Sequence, residues 1–579
     1  MSAPPIREPE QVADLQASDV LPEPRKAGEV SEAGAPGSAR VRGSARVRGW
    51  ARVRGSARVR GWARVLGSAR VRGGGTVFVC FLVCFALGLQ SWTALRVTGF
   101  DLGIFDQAVR AYAHFDPPRS PIKSVHHEFP PDFTLLGDHF TPLLALLAPL
   151  YWVWDDPRSL ILAQAVLFAA GVPVIRRIAR HCFAEAAPAV ARRAADVSGL
   201  VYATGWPLLN SSYTGFHEVA FAVPLTLLML ERGLARRYGG AALWAAALCL
   251  VKEDMGLVVG AFGLVLAVRA HRTRQATGRA VGIALLLGGP LVVALVVGWF
   301  LPAMGSPPGY YWSYGRLGAD GGEALLTVLT EPWVLPAVAF TPFVKVVILA
   351  WLLGTLAFLP VGSPTLLLAV PLLAERMLSD NPNHWPVVNH YDAFLWPILL
   401  TAALETLARL HRRERPVWRA WGARLSVAAI TLSTAAALVA GLGLPFNPGS
   451  WQPRPDKRAL AAAAELVPDG ATVEADNTVA PRLTARTHVV LVDATPRGAD
   501  WVLLRVNDRT FPFASLTEQR QRIALLLDHG YEQVRSEDGA VLLHRVRDVP
   551  IPGMRVPGPD STPVREQVPS DVGRNPFLR

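Results

Sequence analysis

The chain has 579 residues, of which 51% are hydrophobic and only 18% charged, with a mean hydropathy of +0.28. That balance excludes a disordered protein, a disulfide-stapled secreted scaffold and an ordinary cytosolic enzyme. The net charge of +12 points to nucleic acid only until it is located, because eleven arginines and no acid fall within residues 37–72.

Those residues are six tandem hexamers: GSARVR, GSARVR, GWARVR, GSARVR, GWARVL and GSARVR. So short a Gly-broken period buries no core. Residues 1–75 therefore read as a disordered cytoplasmic tail whose arginines meet the anionic membrane surface, with no nucleic-acid partner. The first apolar run, 76–95, lies too deep in the chain and is too long for a cleaved leader, so it reads as an anchor. Ten further blocks follow near 159–178, 196–213, 219–234, 240–252, 255–270, 280–301, 343–360, 364–377, 391–409 and 422–443. With the N-terminus inside, this path puts the arginine clusters at 37–72, 176–193, 232–237, 269–279 and 409–419 on the cytoplasmic side.

The predicted fold class is an α-helical polytopic membrane protein of about 11 transmembrane helices over 76–444, with a small C-terminal α/β extracytoplasmic domain. Residues 96–158 form a long first exported loop. Within it, the Pro-broken, Trp- and Tyr-rich stretch 139–154 reads as an interfacial segment and not a span. No cysteine falls in an exported segment and no CxxC occurs, so neither disulfide nor metal chemistry is expected of the four cysteines. The aromatic stretch PPGYYWSYG (307–315) reads as an interface anchor, with stacking on a sugar as the alternative. After Pro445 the chain changes character. A helix at 457–466, strands at 471–475, 487–492 and 500–506, a helix at 515–528 and a hairpin turning at Glu-Asp-Gly predict the α/β domain over 445–545. Asp476 and Asp493 read as turn or strand-end residues. The Pro-rich stretch 546–579 reads as a disordered tail.

On this path the acids and histidines collect at the outer lip. The first exported loop carries Asp101 and Asp106 in FDLGIFDQ, then His126, His127 and Glu128, then Asp138 and His139. His217 and Glu218 lie in GFHE, Lys252, Glu253 and Asp254 in KED, and His390, Tyr391 and Asp392 in HYD. A carboxylate held against Phe, Leu and Ile gains a raised pKa, which suits it to take a proton from an acceptor hydroxyl. Lys252 at the membrane boundary could hold a phosphate or pair within its own motif. His126, His127, Glu128, Asp138 and His139 are metal-ligand types, but their spacing matches no closed pattern, and no metal site is assigned.

FDLGIFDQA (100–108), GDHFTPLLALLAPLYWVW (137–154), GFHE (215–218), LCLVKEDMGL (248–257) and HYDAFLWP (390–397) resemble an uncharacterised family of bacterial and archaeal multi-span proteins, domain of unknown function 2079. That family is in turn similar to GT-C glycosyltransferases, integral-membrane enzymes that take a sugar from a polyprenyl-phosphate carrier. The resemblance implies a GT-C-like glycosyltransferase in the cell membrane, with a lipid-linked sugar donor and membrane lipids as partners. It implies Asp101, Asp106 and Glu218 as catalytic acids. Asp138, His139, His217, Lys252, Glu253, Asp254, His390 and Tyr391 are then expected to bind substrate. A divalent cation, Mg²⁺ or Mn²⁺, stays open, as do the sugar, the acceptor and the oligomeric state. The alternatives are a transporter or flippase of a lipid-linked precursor and a non-catalytic envelope assembly protein. Against transport, the span interiors are nearly free of ionisable groups.

Overall fold

Long apolar blocks fold as helices because a bilayer leaves backbone N–H and C=O groups no partner outside their own segment. The computed structural model describes residues 69–310, 312–387 and 389–563. Among these residues, six helices are long and apolar enough to cross a membrane: Arg72–Thr93, Arg158–Cys182, Met255–Arg272, Ala276–Ala303, His390–Arg412 and Pro416–Val439. They coincide with six of the eleven expected blocks.

The other five blocks are built from shorter pieces, so helix length does not confirm a count of eleven. Block 196–213 breaks at Thr204 and Gly205 into Pro188–Ala203 and Trp206–Thr214, the second starting with Pro207 in its first turn. Blocks 219–234 and 240–252 give Ala222–Leu234 and Tyr238–Leu248. Pro360, Pro364 and Pro371 cut 343–377 into Val344–Gly354, two 3₁₀ segments and Val370–Leu378. The stretch 139–154 forms a short apolar helical segment over Pro142–Val153.

Trp206, Trp396, Tyr202, Phe168 and Phe216 are fully buried at the centre of the bundle. Glycines set how closely the helices approach. In the hairpin of Met255–Arg272 and Ala276–Leu295, Gly256, Gly260 and Gly263 face Gly282 and Gly289. A Cβ on Gly263 would stand 2.3 Å from Leu286 N, and one on Gly289 2.2 Å from Gly256 O, so backbone meets backbone. Leu287 and Leu291 on the second helix, and Trp299 further along the same Ala276–Ala303 span, are exposed and face outward, as lipid-facing side chains do. Gly263→Leu is expected to force the hairpin apart and destabilise the chain by about 1–3 kcal/mol. Gly288→Leu, where a Cβ meets nothing within 4 Å, should change little. Melting of both variants in detergent checks this, and equal melting points would refute the close packing.

The C-terminal sheet comprises β1 (Thr472–Ala475), β2 (His488–Leu491), β3 (Trp501–Arg505), β4 (Tyr531–Glu537) and β5 (Ala540–Arg545) in the order β2-β1-β3-β5-β4. β2, β1 and β3 run parallel, whereas β5 is antiparallel to both β3 and β4. Helices Pro455–Ala464 and Leu516–Asp528 complete the unit. Ser515 caps the second helix by accepting from Glu518 N, and Glu518 returns the contact by accepting from Ala514 N. Asp538 and Gly539 both have positive φ at the β4–β5 turn, as a tight hairpin requires.

Most of the arginine-rich tail, residues 1–68, lies outside the described residues, as does 564–579 of the C-terminal tail. The part of that tail expected to be free, 546–563, instead runs against the α/β domain. Ile551 is buried in the domain's core, and Arg555 N donates to Pro496 O at 2.9 Å.

Candidate functional site

The first exported loop begins with a single π-helical turn, Gly99–Gly103, which leads into the helix Ile104–Ala113. Thr98 caps the turn. Its hydroxyl accepts from Asp101 N at 3.2 Å and donates to Asp101 Oδ2 at 2.8 Å. The other oxygen of Asp101 faces His217, whose Nε2 lies 4.0 Å away. His217 stacks on His390, with ring centroids 3.3 Å apart and planes at 21°. On its far side the Nδ1 of His217 is in close contact with the carboxylate of Glu218.

Gln164, on the Arg158–Cys182 span, holds the GFHE turn in place. It accepts from His217 N at 3.2 Å and donates to Gly215 O at 2.6 Å and Ser211 O at 3.0 Å. Gly215 sits at φ +105°, which an L side chain rarely adopts. Three segments far apart in sequence thus deliver Asp101, His217–Glu218 and His390 to one point.

Burial raises the Asp101 carboxyl from its ordinary value, and His217 opposes the shift in part. For Glu218, burial is outweighed by His217 and by the more distant charges of His139 and Lys252, so its pKa falls and it stays ionised. One carboxylate oxygen and two imidazole nitrogens, from Asp101, His217 and His390, lie within 4.8 Å of one another. Two imidazoles and a carboxylate form a donor set that suits a divalent transition cation.

Asp106 does not join this group. It is fully buried, takes two hydrogen bonds from Arg110 Nη2 at 3.0 and 2.9 Å, and accepts a third from Tyr151 OH at 2.7 Å. Burial raises its carboxyl, with Arg110 and Tyr151 in opposition. Asp106 is thus fully engaged in holding the loop helix to the 142–153 segment.

A second group lies beside the first. His139 Nδ1 meets Glu253 Oε1 at 2.9 Å, and Phe140 N donates to Glu253 Oε2 at 3.1 Å. Lys252 Nζ reaches Asp254 at 3.3 Å and Glu253 at 3.9 Å, so the pairing within the KED motif is realised. Burial works against the charged form of His139, but Glu253 and Asp138 outweigh it and push the imidazole up to about 9. Glu253 is held down to about 2, its burial outweighed by His139 and Lys252.

Among the described residues, the remaining histidines and acids of the loop take separate pairings. His126 pairs with Asp493 at 3.2 Å, His127 with Tyr310 OH at 2.6 Å, Glu128 with Arg497 at 3.8 Å, and Asp138 with Lys123 at 2.9 Å. Tyr310 of the aromatic stretch therefore works inside the protein, against His127 and Phe129. Asp392 is fully buried against Arg376 at 2.5 Å, and that guanidinium also lies over the Tyr391 ring.

Sequence reasoning passed over Glu375, Arg376 and Asn477. Glu375 stands among the charges of the KED motif, and Arg376 anchors the HYD segment. Their signal was a pair of adjacent charges in the otherwise apolar VPLLAERML. Asn477 accepts from the backbone of Gly99 and Phe100, and an asparagine after a strand gives no such hint.

Comparison with solved structures finds a distant likeness to ArnT from Cupriavidus metallidurans, bound to undecaprenyl phosphate. Its sequence identity is 13% and its TM-score 0.46, over 84% of this chain and 99% of that one. The archaeal oligosaccharyltransferase AglB from Archaeoglobus fulgidus, in complex with an inhibitory peptide and a dolichol-phosphate, is 11% identical. Its TM-score is 0.41, over 85% of this chain and 76% of that one. No curated protein matches the sequence. Residues 92–542 match the family model described as a predicted membrane protein, DUF2079, a range that takes in every residue of both groups; the chain belongs to the DUF2079 family.

Proposed function

We propose that this chain is a membrane glycosyltransferase that moves a sugar from a polyprenyl-phosphate donor to an acceptor at the outer face of the membrane. The observation that carries the reading is the meeting of Asp101, His217, Glu218 and His390 at one point of a helical bundle. They come from segments that share nothing in sequence but their side of the membrane. The donor class is taken from the GT-C-like layout: a long first exported loop with an acid just after the first span, then an interfacial segment, then the second span.

In this reading Asp101 is the general base. Burial raises its carboxyl from the ordinary value, and Oδ1, which faces His217 at 4.0 Å, is the oxygen that Thr98 leaves for an incoming hydroxyl. The acceptor oxygen loses its proton to Asp101 and forms a bond to the anomeric carbon. The bond from that carbon to the phosphate oxygen breaks, and the electron pair stays on that oxygen as the lipid-borne phosphate leaves. No covalent enzyme intermediate is needed, because the carrier phosphate is already a good leaving group. Glu218 holds His217 against Asp101. Lys252 spends one of its three donors on Asp254 and can offer another to the phosphate.

The test compares envelope glycans and lipid-linked sugars in a deletion strain, complemented or not by the wild-type gene. Loss of one glycan with accumulation of one polyprenyl-linked sugar, both reversed by complementation, is the expected result. A deletion that leaves both pools unchanged sinks the proposal.

A further inference from the structure

The parallel part of the C-terminal sheet ends toward the first exported loop. In open parallel sheets the carboxyl edge of the strands is where ligands settle. Here that edge receives the chain's own loop. Asn477 stands two residues past the end of β1 and is buried. Its backbone oxygen accepts from Gly99 N at 2.7 Å, and its side-chain Oδ1 accepts from Phe100 N at 3.0 Å. These two N–H groups open the turn that carries Asp101, where no helical partner exists for them.

The clamp is itself held rigid. Asp476, the residue before it, donates its N–H to Leu503 O at 2.7 Å. The Asp476 carboxylate accepts from Thr478 N at 2.8 Å and from Arg505 Nε at 2.9 Å. The loop is pressed onto this edge with no room to spare. A Cβ on Gly99 would lie 2.9 Å from both Ala480 Cβ and Leu491 Cδ2. Gln107 Nε2 completes the seam by donating to Val489 O at 3.1 Å, on the edge strand β2.

We propose that Asn477 is a positioning residue that fixes the Gly99–Asp101 backbone and thereby sets the Asp101 carboxylate against His217. The α/β domain then completes the reaction centre and does more than cover it. The clamp stands on geometry alone, whereas its effect on transfer rests on the glycosyltransferase reading.

The experiment uses the full chain in lipid nanodiscs. Asn477→Ala removes the side-chain acceptor and keeps the backbone one, and Asn477→Asp keeps both. Amide hydrogen exchange over residues 99–103 should quicken about tenfold in Asn477→Ala and return toward wild type in Asn477→Asp. With polyprenyl-linked sugars extracted from the source membranes as donor, Asn477→Ala should lower kcat about tenfold or more while donor KM stays within about twofold. Asn477→Asp should recover most of that loss. Exchange that stays slow in Asn477→Ala overturns the clamp. Exchange that quickens while kcat holds overturns the positioning role. Absence of transfer in the wild-type chain overturns the glycosyltransferase reading instead, and the exchange arm still decides the clamp.

Discussion

Asp101→Asn is expected to lower sugar transfer by about 10²–10⁴-fold in reconstituted liposomes, with the chain folded and melting as wild type. The amide keeps the size of the carboxylate and its oxygen can still accept from the Thr98 hydroxyl, while the backbone N–H of residue 101 still donates to that hydroxyl, so the turn should hold. It cannot take a proton from the acceptor. Asp106→Asn makes the contrast. Asp106 lies outside the group of Asp101, His217 and His390, and its carboxylate is spent on Arg110 and Tyr151. Its replacement should weaken the loop and lower the melting point while leaving some transfer in the folded fraction. Equal transfer by Asp101→Asn and wild type would remove the general base from the mechanism. So would a loss in Asp106→Asn as deep as that in Asp101→Asn at unchanged melting.

Arg376→Ala should be the most destabilising single substitution near the site, costing about 3–5 kcal/mol. It strands the Asp392 carboxylate, which is fully buried and meets Arg376 at 2.5 Å. It also frees the carbonyls of His384 and Trp385, which accept from Arg376 at 3.0 and 3.1 Å. His390 and Tyr391 ride on this segment, so the stacked histidine pair should loosen with it. The double variant Arg376→Met with Asp392→Leu removes both charges and should recover part of the loss. Thermal unfolding of the detergent-solubilised proteins reads both effects. An Arg376→Ala chain that melts with wild type would show that the pair carries no net stability.

Much of the candidate site could be read from the residues, because charges at the ends of apolar blocks have few places to go. The motifs GFHE, KED and HYD each flank an apolar block on the same expected side, and their side chains meet or neighbour one another. The FDLGIFDQ pair could not be divided that way, since both acids flank the same apolar residues. The clue was Arg110, four residues after Asp106 and so on the same helix face. The HYD segment was visible but its support was not, because Glu375 and Arg376 stand in a block whose mean character is apolar. The span count is not confirmed where prolines crowd, at 360, 364 and 371, since a sum of apolar residues does not register where helical hydrogen bonding stops. Asn477 was out of reach for another reason. Its partners are backbone amides far back along the chain, and no local pattern announces a backbone contact.

The contact between Phe100 and Asn477 closes over 377 residues. At a synthesis rate of about 5–20 residues per second, roughly 20–75 s separate the emergence of its two halves. During that interval the spans enter the membrane one after another while the Asp101 turn lacks its clamp. A chain still being made, or one cut short before the α/β domain, would carry every acid and histidine of the centre and yet remain idle. On the glycosyltransferase reading proposed above, transfer would begin only with a finished protein, and half-built copies would leave the lipid-linked donor untouched.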